Sequence, residues 1–492
     1  MTDTRLPPPS ARHSRASDDS APPNVGPLPS MARLRIPQHE ADPEAEMTKA
    51  ESVNSAGSTA DLQTTPSRTS LSEELGAPTA ASDPDPAPLS PVRAAIRNFS
   101  SQWFLVPQGT GITSIVLFSL ESRFDGLDVI SYVVWAFTTV CLGLMLLAYA
   151  LRLAMFPRHV LGLLGSDPAE LTCMSSISIA FTSIVQMIAL TAAGSSSDWA
   201  MAAVSLWWFN MVLAVASMIF IPYSIPHAHA PGVASLMPNT QLPMVAAITL
   251  AAGGGTVGGS PYLDGREDLR APVLFFSYFS LALAVPIAMA YATMYLVRLV
   301  DGSPPARGKV YQEMIFCGPW GQGSFALQAL GQALLKNAPA LAAYMAGGVV
   351  SEAMVNVLGY SSVFLGFLSW SAGTFWWAFA VMSTVRHLFR AWRHSRQARS
   401  ASDADGIVYE ETERYSLAVW ALVFPWGVYT NAAVRLGKVL ASRFFRTWST
   451  VLAICLVILM LVNLGLTVKG LWTGRLLGID RRRRPAQPKG YK

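Results

Sequence analysis

Apolar runs long enough to cross a membrane recur along this chain and constrain its fold more than any other feature. A helix crosses the hydrocarbon core of a bilayer in about 20 mostly apolar residues. Ten such runs follow one another, at 102–120, 129–154, 172–193, 199–224, 240–258, 272–297, 313–335, 355–385, 415–434 and 446–472. The sequence therefore predicts an all-α membrane protein with ten transmembrane helices. The shorter stretch 338–350 indicates a re-entrant piece or a helix extension.

The two ends of the chain have a different composition. Residues 1–98 contain no Phe, Trp or Tyr and are rich in Pro, Ser, Ala, Asp and Glu. Such a segment cannot bury enough apolar surface to offset its conformational entropy, so we expect a disordered cytoplasmic tail. Residues 99–472 would form the transmembrane domain, and residues 473–492 a basic cytoplasmic tail. The polar N-terminus has no secretory signal pattern, so the first membrane helix would direct insertion.

The distribution of Lys and Arg predicts the orientation, because cytoplasmic loops carry the excess of positive charge. The side that would hold both termini has the larger set, which includes Arg152, Arg158, Arg298, Arg386, Arg390, Arg393, Arg396, Arg399 and the arginines at 481–484. Both termini are therefore expected in the cytoplasm. A basic group falls on the opposite side, between the ninth and tenth predicted spans, and consists of Arg435, Lys438, Arg443 and Arg446. It indicates either snorkelling at the interface or a positive pore mouth that concentrates anions.

Helix-breaking residues are concentrated in the odd-numbered spans. They are Pro107, Gly109 and Gly111 in the first, Pro243 and the glycines at 253–255 in the fifth, Gly318, Pro319, Gly321 and Gly323 in the seventh, and Pro425 and Gly427 in the ninth. Irregular backbone at membrane depth is tolerated only inside protein or along a wet cavity. We therefore expect the odd helices to be broken and to line a central pore, with the even helices outside. Close helix packing is the alternative role of such glycines and stays open.

Few charged residues fall deep within the predicted spans. Glu313 and Glu352 are the nearest acids, and no Lys or Arg is predicted at mid-span. Hydroxyl, amide and backbone groups would therefore line the pore, and helix N-termini at the breaks would add positive potential. Such a lining suits an anion.

Motifs of other function classes are missing from the sequence. It has no P-loop and no nucleophile–base or paired-carboxylate pattern on a loop, and the four cysteines lie in apolar segments without CxxC spacing. His227 and His229 form an HxH pair without a nearby Cys or acid, which favours a polar loop over a metal site. We expect no enzyme activity, no metal or cofactor and no nucleic-acid partner. A receptor or scaffold that transports nothing stays open, since the long tail permits partner binding.

Four motifs resemble those of the tellurite-resistance/dicarboxylate transporter family, which includes fungal sulfite efflux pumps, malate permeases and plant slow anion channels. GPWGQGSF at 318–325 is similar to the GPxGQGSF signature of the sulfite pumps. The others are GTGI at 109–112, LWWFN at 206–210 and VWALVFPWGVY at 419–429. Trp320 departs from the pump signature and Asn210 from an LWWYD-type motif, and the SSISIAF stretch of the third span lacks the usual Pro/Gly element.

The resemblance implies ten helices in five hairpins, a homotrimer with one pore in each subunit, and a gate at Phe424 just before Pro425. We expect a multi-pass plasma-membrane protein in the lipid bilayer that exports a small anion. Sulfite is the first substrate, and a C4-dicarboxylate such as malate is the alternative, although it would want a cationic clamp. The expected substrate path comprises Gly109, Thr110, Gly111, Gly318, Pro319, Gly321, Gln322, Gly323, Ser324, Phe325 and Gly427.

Overall fold

The computed structural model describes residues 90–191, 196–228, 232–305, 307–345, 350–405 and 415–479, and within them every regular element is a helix. The α-helices are α1 (Pro91–Arg97), α2 (Leu105–Ser119), α3 (Leu127–Met155), α4 (Pro157–Ser166), α5 (Pro168–Cys173), α6 (Ser175–Leu190), α7 (Ser197–Ala228), α8 (Leu242–Gly258), α9 (Glu267–Val300), α10 (Cys317–Lys336), α11 (Ala338–Tyr344), α12 (Glu352–Asp405), α13 (Val423–Val439) and α14 (Arg443–Trp472). Short 3-10 segments lie at Ser101–Phe104, Val233–Ser235, Pro238–Gln241, Pro261–Leu263, Arg307–Phe316 and Leu417–Leu422.

Parts of the predicted tails and of the HxH loop lie outside the described residues, namely 1–89, 229–231 and 480–492. Residues 91–97, which were predicted to be part of the N-terminal tail, form helix α1, and Pro91 is its first residue. Proline suits the first helical position, where its missing N–H has no intrahelical partner. The ordered chain therefore begins before residue 98. Helix α11 begins one residue after Asn337, as an extension of α10.

Among the residues that the structure describes, seven helical segments are long and apolar enough to cross a membrane. They are Leu127–Met155, Pro168–Leu190, Ser197–His227, Glu267–Val300, Glu352–Arg393, Leu417–Val439 and Arg443–Trp472. The remaining predicted spans correspond to α2 and α8, which have only 15 and 17 residues, and to α10, which has 20 and includes the GPWGQGS stretch. The chain is thus a multi-pass helical membrane protein, and the total of ten spans stays a prediction.

Five helices pack in a closed ring. Following the chain, α2 contacts α6, α6 contacts α8, α8 contacts α10, α10 contacts α13, and α13 returns to α2. Each of these inner helices also packs against the long helix that follows it, and these outer helices are α3, α7, α9, α12 and α14. The segments Pro168–Leu190 and Leu417–Val439 contain α6 and α13. Of an apolar 18-residue stretch in each, 72% and 89% is buried, whereas the corresponding shares are 17% in α3 and 39% in α9. The inner helices therefore form the core of the described chain.

The segments that precede the inner helices form a second closed ring. It consists of Ser101–Phe104, α5, Pro238–Gln241, Arg307–Phe316 and Leu417–Leu422, and each contacts its neighbours in the order of the helices that follow. All five inner helices therefore start at the same end of the ring and run parallel. Asn98 donates a hydrogen bond to the carbonyl of Leu477 at 3.0 Å, so both ends of the described chain lie on one side.

The prediction that the odd spans are broken helices is wrong for the first, fifth, seventh and ninth. The prolines lie in the first turn of continuous helices: Pro243 is the second residue of α8, and Pro107, Pro319 and Pro425 are the third residues of α2, α10 and α13. Proline is tolerated there because first-turn N–H groups have no intrahelical acceptor. In these four helices the prolines mark the start of the helix rather than a break at mid-membrane.

Glycine occurs at each of the five contacts of the inner ring. A Cβ added to any one of them would lie only 2.6–2.8 Å from an atom of the neighbouring helix: Gly111 against Ser183, Gly253 against Thr182, Gly255 against Ala329, Gly321 against Tyr429 and Gly427 against Ile112. Real Cβ atoms essentially never approach other atoms so closely. Close packing, the alternative left open by the sequence, therefore explains these five glycines.

Candidate functional site

The three stretches predicted to form the substrate path come together in the ring. Residues 109–111 lie on α2, residues 318–325 on α10, and Phe424, Pro425 and Gly427 on α13, which contacts both other helices. All of them are buried except Trp320, which is partly exposed. The ring therefore gathers residues that are more than 300 positions apart in the sequence.

Phe424 lies in the wall of a small cavity at the N-terminal end of the ring. The cavity is lined by Leu105, Gln108, Leu242, Val245, Ile315, Trp420, Ala421, Phe424 and Pro425. These residues come from the first turns of α2, α8 and α13 and from the segments before α10 and α13. The aligned peptide dipoles give these helix N-termini partial positive charge, while the N–H groups of Leu105, Leu242 and Val423 donate to carbonyls of the preceding 3-10 segments. Phe424 itself is only 2% exposed.

Several polar groups near this end are buried without a hydrogen-bond partner among the described residues. They include Oε1 of Gln108 and of Gln322, and the hydroxyls of Ser175, Ser176 and Ser178 on α6. Buried polar groups are nearly always paired, so the two amide oxygens need a donor such as ordered water, while the serine hydroxyls are able to donate. Gln322 was predicted from the sequence. Gln108 was missed, although it adjoins the GTGI motif and lines the cavity.

Two predicted path residues point away from the ring interior. The Thr110 hydroxyl accepts a hydrogen bond from Thr138 of α3 at 2.8 Å, and Ser324 donates to the carbonyl of Gly366 of α12 at 2.7 Å. Both hydroxyls thus lie between an inner and an outer helix. The expectation that they replace the hydration of the anion stays a prediction, which these contacts do not favour.

Two of the three departures from the family motifs, Trp320 and Asn210, also lie at contacts between inner and outer helices. The carbonyl of Trp320 accepts a hydrogen bond from Ser369 of α12 at 2.8 Å, and α12 carries Gly373 opposite the Trp320 Cβ. Asn210 of α7 donates to the hydroxyl of Thr182 on α6 at 2.6 Å. Neither residue faces the cavity beside Phe424, so both departures affect helix packing.

Two cations lie within the last two turns of inner helix α13, beyond the end of the predicted ninth span. The predicted ninth span ended at 434, but α13 continues to Val439. Arg435 donates to Oε1 of Gln332 on α10 at 2.6 Å, and its guanidinium carbon lies 5.4 Å from the centre of the Phe325 ring. Lys438 donates to the carbonyl of Ser119, the last residue of α2, at 2.7 Å. Arg443 and Arg446 instead lie in the first turn of outer helix α14.

Comparison with known proteins agrees with this architecture. The family model described as voltage-dependent anion channel matches residues 98–468. The sulfite efflux pump SSU1 of Trichophyton rubrum is 28% identical over 377 residues, which cover 76% of this chain and 91% of the pump. The Candida albicans sulfite efflux pump SSU1 is 22% identical over 356 residues, with coverage of 70% and 68%. The malic acid transport protein of Schizosaccharomyces pombe is 19% identical over 395 residues, with coverage of 78% and 81%.

The matched range begins one residue after α1 and ends within α14, so it contains the whole inner ring. The resemblance inferred from the four motifs is confirmed by this match and by the named relatives. Membrane-spanning helices, a ring with converging N-termini and the extent of the match lead to one conclusion: this chain belongs to the voltage-dependent anion channel family of membrane anion channels and transporters.

Proposed function

We propose that this protein exports sulfite across the plasma membrane through a passage inside the inner ring, which Phe424 closes. The observation that carries the proposal is the position of Phe424 at the cavity where the N-termini of the inner helices converge. The GPWGQGSF stretch and the relatives named as sulfite efflux pumps support sulfite as the anion. A homotrimer with one passage in each subunit is part of the proposal.

In this mechanism the anion approaches from the cytoplasm at the N-terminal end of the ring. The side-chain NH2 groups of Gln108 and Gln322 replace part of its hydration shell, and the dipoles of the inner helices add positive potential. The Phe424 side chain then rotates out of the path. The membrane potential, negative inside, drives each negative charge outward by about 2.3 kcal/mol per 100 mV.

The test is anion-selective current in planar bilayers, with Phe424→Ala compared with wild type. Removal of the Phe424 phenyl group should raise the sulfite current at least tenfold, because the anion then meets no apolar obstruction at the cavity. Phe364→Ala is the matched control, since Phe364 lies on outer helix α12 and is 60% exposed on the surface of the chain. An unchanged current in Phe424→Ala would reject the gate.

Malate is the second candidate, and one structural observation favours it. A dicarboxylate needs a cation in its path, and Arg435 on inner helix α13 supplies one. The relative named malic acid transport protein points the same way. Efflux of labelled sulfite and of labelled malate from vesicles separates the candidates. If malate crosses and sulfite does not, the sulfite assignment fails, and if neither crosses, a receptor or scaffold role replaces transport.

A further inference from the structure

A second polar site lies on the inner ring, toward the end opposite the Phe424 cavity. We propose that Arg435, together with Gln332 and the Phe325 ring, binds a small oxyanion that has passed the gate. The proposal rests on the proposed function, because it places this site on the same passage. It assigns Arg435, which the charge pattern placed with three other cations between two predicted spans, as a residue that binds the substrate directly.

Arg435 and Phe424 lie on the same face of α13. They are eleven residues apart, which at about 100° per residue is within about 20° of three full turns, and about 16 Å along the helix axis. Three turns after Phe424, the same face of α13 therefore carries the guanidinium of Arg435.

The contacts of α13 show that this face is turned toward the ring interior. Gly427 lies against Ile112 of α2, and Gly321 of α10 lies against the backbone of Tyr429. The Trp426 indole donates to the carbonyl of Leu452 on α14 at 3.0 Å. On a helical wheel these three contacts occupy the two flanks and the outer side of α13. The remaining side carries Phe424 and Arg435.

The charge of Arg435 is not balanced by an acid. Its neighbour Gln332 is a neutral amide, Nε is inaccessible to solvent and has no partner, and Arg435 makes no ion pair with any described residue. Two buried arginines differ, since Arg152 pairs with Glu170 and Arg270 pairs with Glu267. Buried Arg298 instead donates to the carbonyls of Ser303 and Leu236. A cation removed from water without a counter-charge is unfavourable, and a bound anion supplies that counter-charge.

The chemistry of the site fits an oxyanion better than a halide. A guanidinium presents several N–H donors in one plane and can bond two oxygens of the same anion. Gln332 of α10 adds an amide NH2 donor. The Phe325 ring contacts the guanidinium through a cation–π interaction. Arg435 and Gln332 are both partly exposed, so a small anion can reach them. Two weak sites in series also let an ion leave each one readily.

The experiment measures sulfite binding by thermal unfolding of the purified full-length protein, with potassium gluconate at equal ionic strength as the salt control. We expect wild type to show a saturable rise in Tm with sulfite. Arg435→Gln should raise the half-saturating sulfite concentration at least tenfold. Arg390→Gln removes the same charge from an exposed position on outer helix α12 and should leave it unchanged.

Two further variants keep the test decisive if Arg435→Gln fails to fold. Arg435→Lys retains the charge without the planar donors, and Gln332→Leu removes the amide while keeping the charge, so each should raise the half-saturating concentration about threefold. The proposal would be overturned if the half-saturating sulfite concentration were equal in wild type, Arg435→Gln and Gln332→Leu, or if the Tm of wild type showed no saturable rise with sulfite.

Sulfite flux is measured separately, as current in planar bilayers. If Phe424→Ala carries current but Arg435→Gln binds sulfite as wild type does, this site alone is rejected. Binding lost in Arg435→Gln without any flux would reject transport and keep the site.

Discussion

At the scale of single residues, one buried ion pair holds the N-terminal end of the ring together. Arg152 of α3 pairs with Glu170 of α5, and both are at most 3% exposed. The other carboxylate oxygen of Glu170 accepts a hydrogen bond from the backbone N–H of Ser101 at 3.0 Å, and Arg152 donates to the carbonyl of Arg97 at 3.0 Å. The pair therefore links α1, α3, α5 and the segment before α2.

Removal of one member of this pair should be strongly destabilising. Arg152→Met leaves the Glu170 carboxylate buried without its cation, and breaking a buried pair in this way costs about 3–5 kcal/mol. The double variant Arg152→Met/Glu170→Met should recover much of the loss, because no charge remains buried. Thermal unfolding in detergent measures both.

The control for this prediction is the pair Arg266–Asp268, whose two side chains are each 53% exposed. Arg266→Met should leave Tm unchanged, because water screens exposed pairs. Equal Tm values for wild type and Arg152→Met would contradict the structural role of the buried pair.

Single residues also show where sequence reasoning reaches its limit. Phe424 and Gln322 were identified from their motifs, and the structure gathers them in one ring. The directions of Thr110 and Ser324 could not be predicted, because every face of an inner helix meets protein and composition does not distinguish one face from another. Arg435 was expected in a basic group between two spans, because a hydropathy window ends a span at the first cation, whereas a helix surrounded by protein can continue past it.

At the scale of helices, the glycines set how closely the inner helices approach. Gly321→Ala would place a methyl 2.8 Å from the backbone of Tyr429, and that backbone cannot move without displacing α13. We expect a loss of about 1–3 kcal/mol, as for other overpacked cores. Thermal unfolding and the yield of monodisperse protein provide the measurement.

Gly143→Ala is the matched control for this substitution. Gly143 lies on outer helix α3 with no atom within 4 Å of an added Cβ, so alanine should be neutral or slightly stabilising there. If Gly321→Ala and Gly143→Ala had the same effect, close packing would not be the role of Gly321.

The helices themselves were predicted well, and their internal geometry was not. Apolar runs revealed even the short inner helices α2 and α8, because a helix that is buried on all sides is apolar whether lipid or protein surrounds it. The clustered prolines suggested breaks, but whether proline lies in a helix interior or a first turn depends on where the helix begins. Here 3-10 segments come directly before α2, α8, α10 and α13, and this alternative start was not visible in the apolar pattern.

At the scale of the whole molecule, the hydrogen bond between Asn98 and Leu477 places both ends of the described chain on one side. The excess of Lys and Arg predicts that this side is cytoplasmic. A cysteine introduced at Asp301, between α9 and α10, should therefore react with a membrane-impermeant maleimide only after permeabilisation of the cells. A cysteine at Tyr262, between α8 and α9, should react in intact cells.

Both positions are exposed, and Tyr262 is 40% accessible, so access to the reagent depends on the side of the membrane alone. Wild type, which carries four cysteines, measures the background labelling. The reverse pattern would invert the predicted orientation. It would also make the cavity beside Phe424 open toward the outside.

The glycine contacts of the ring have a consequence for how this family diversifies. At all five contacts the helices approach so closely that not even a Cβ fits between them. The inner diameter of the ring is therefore set by the backbone rather than by the side chains on its inner face. In the proposed passage, a substitution on that face alters the lining without requiring the scaffold to refold. This would let one architecture serve relatives named for sulfite and for malic acid.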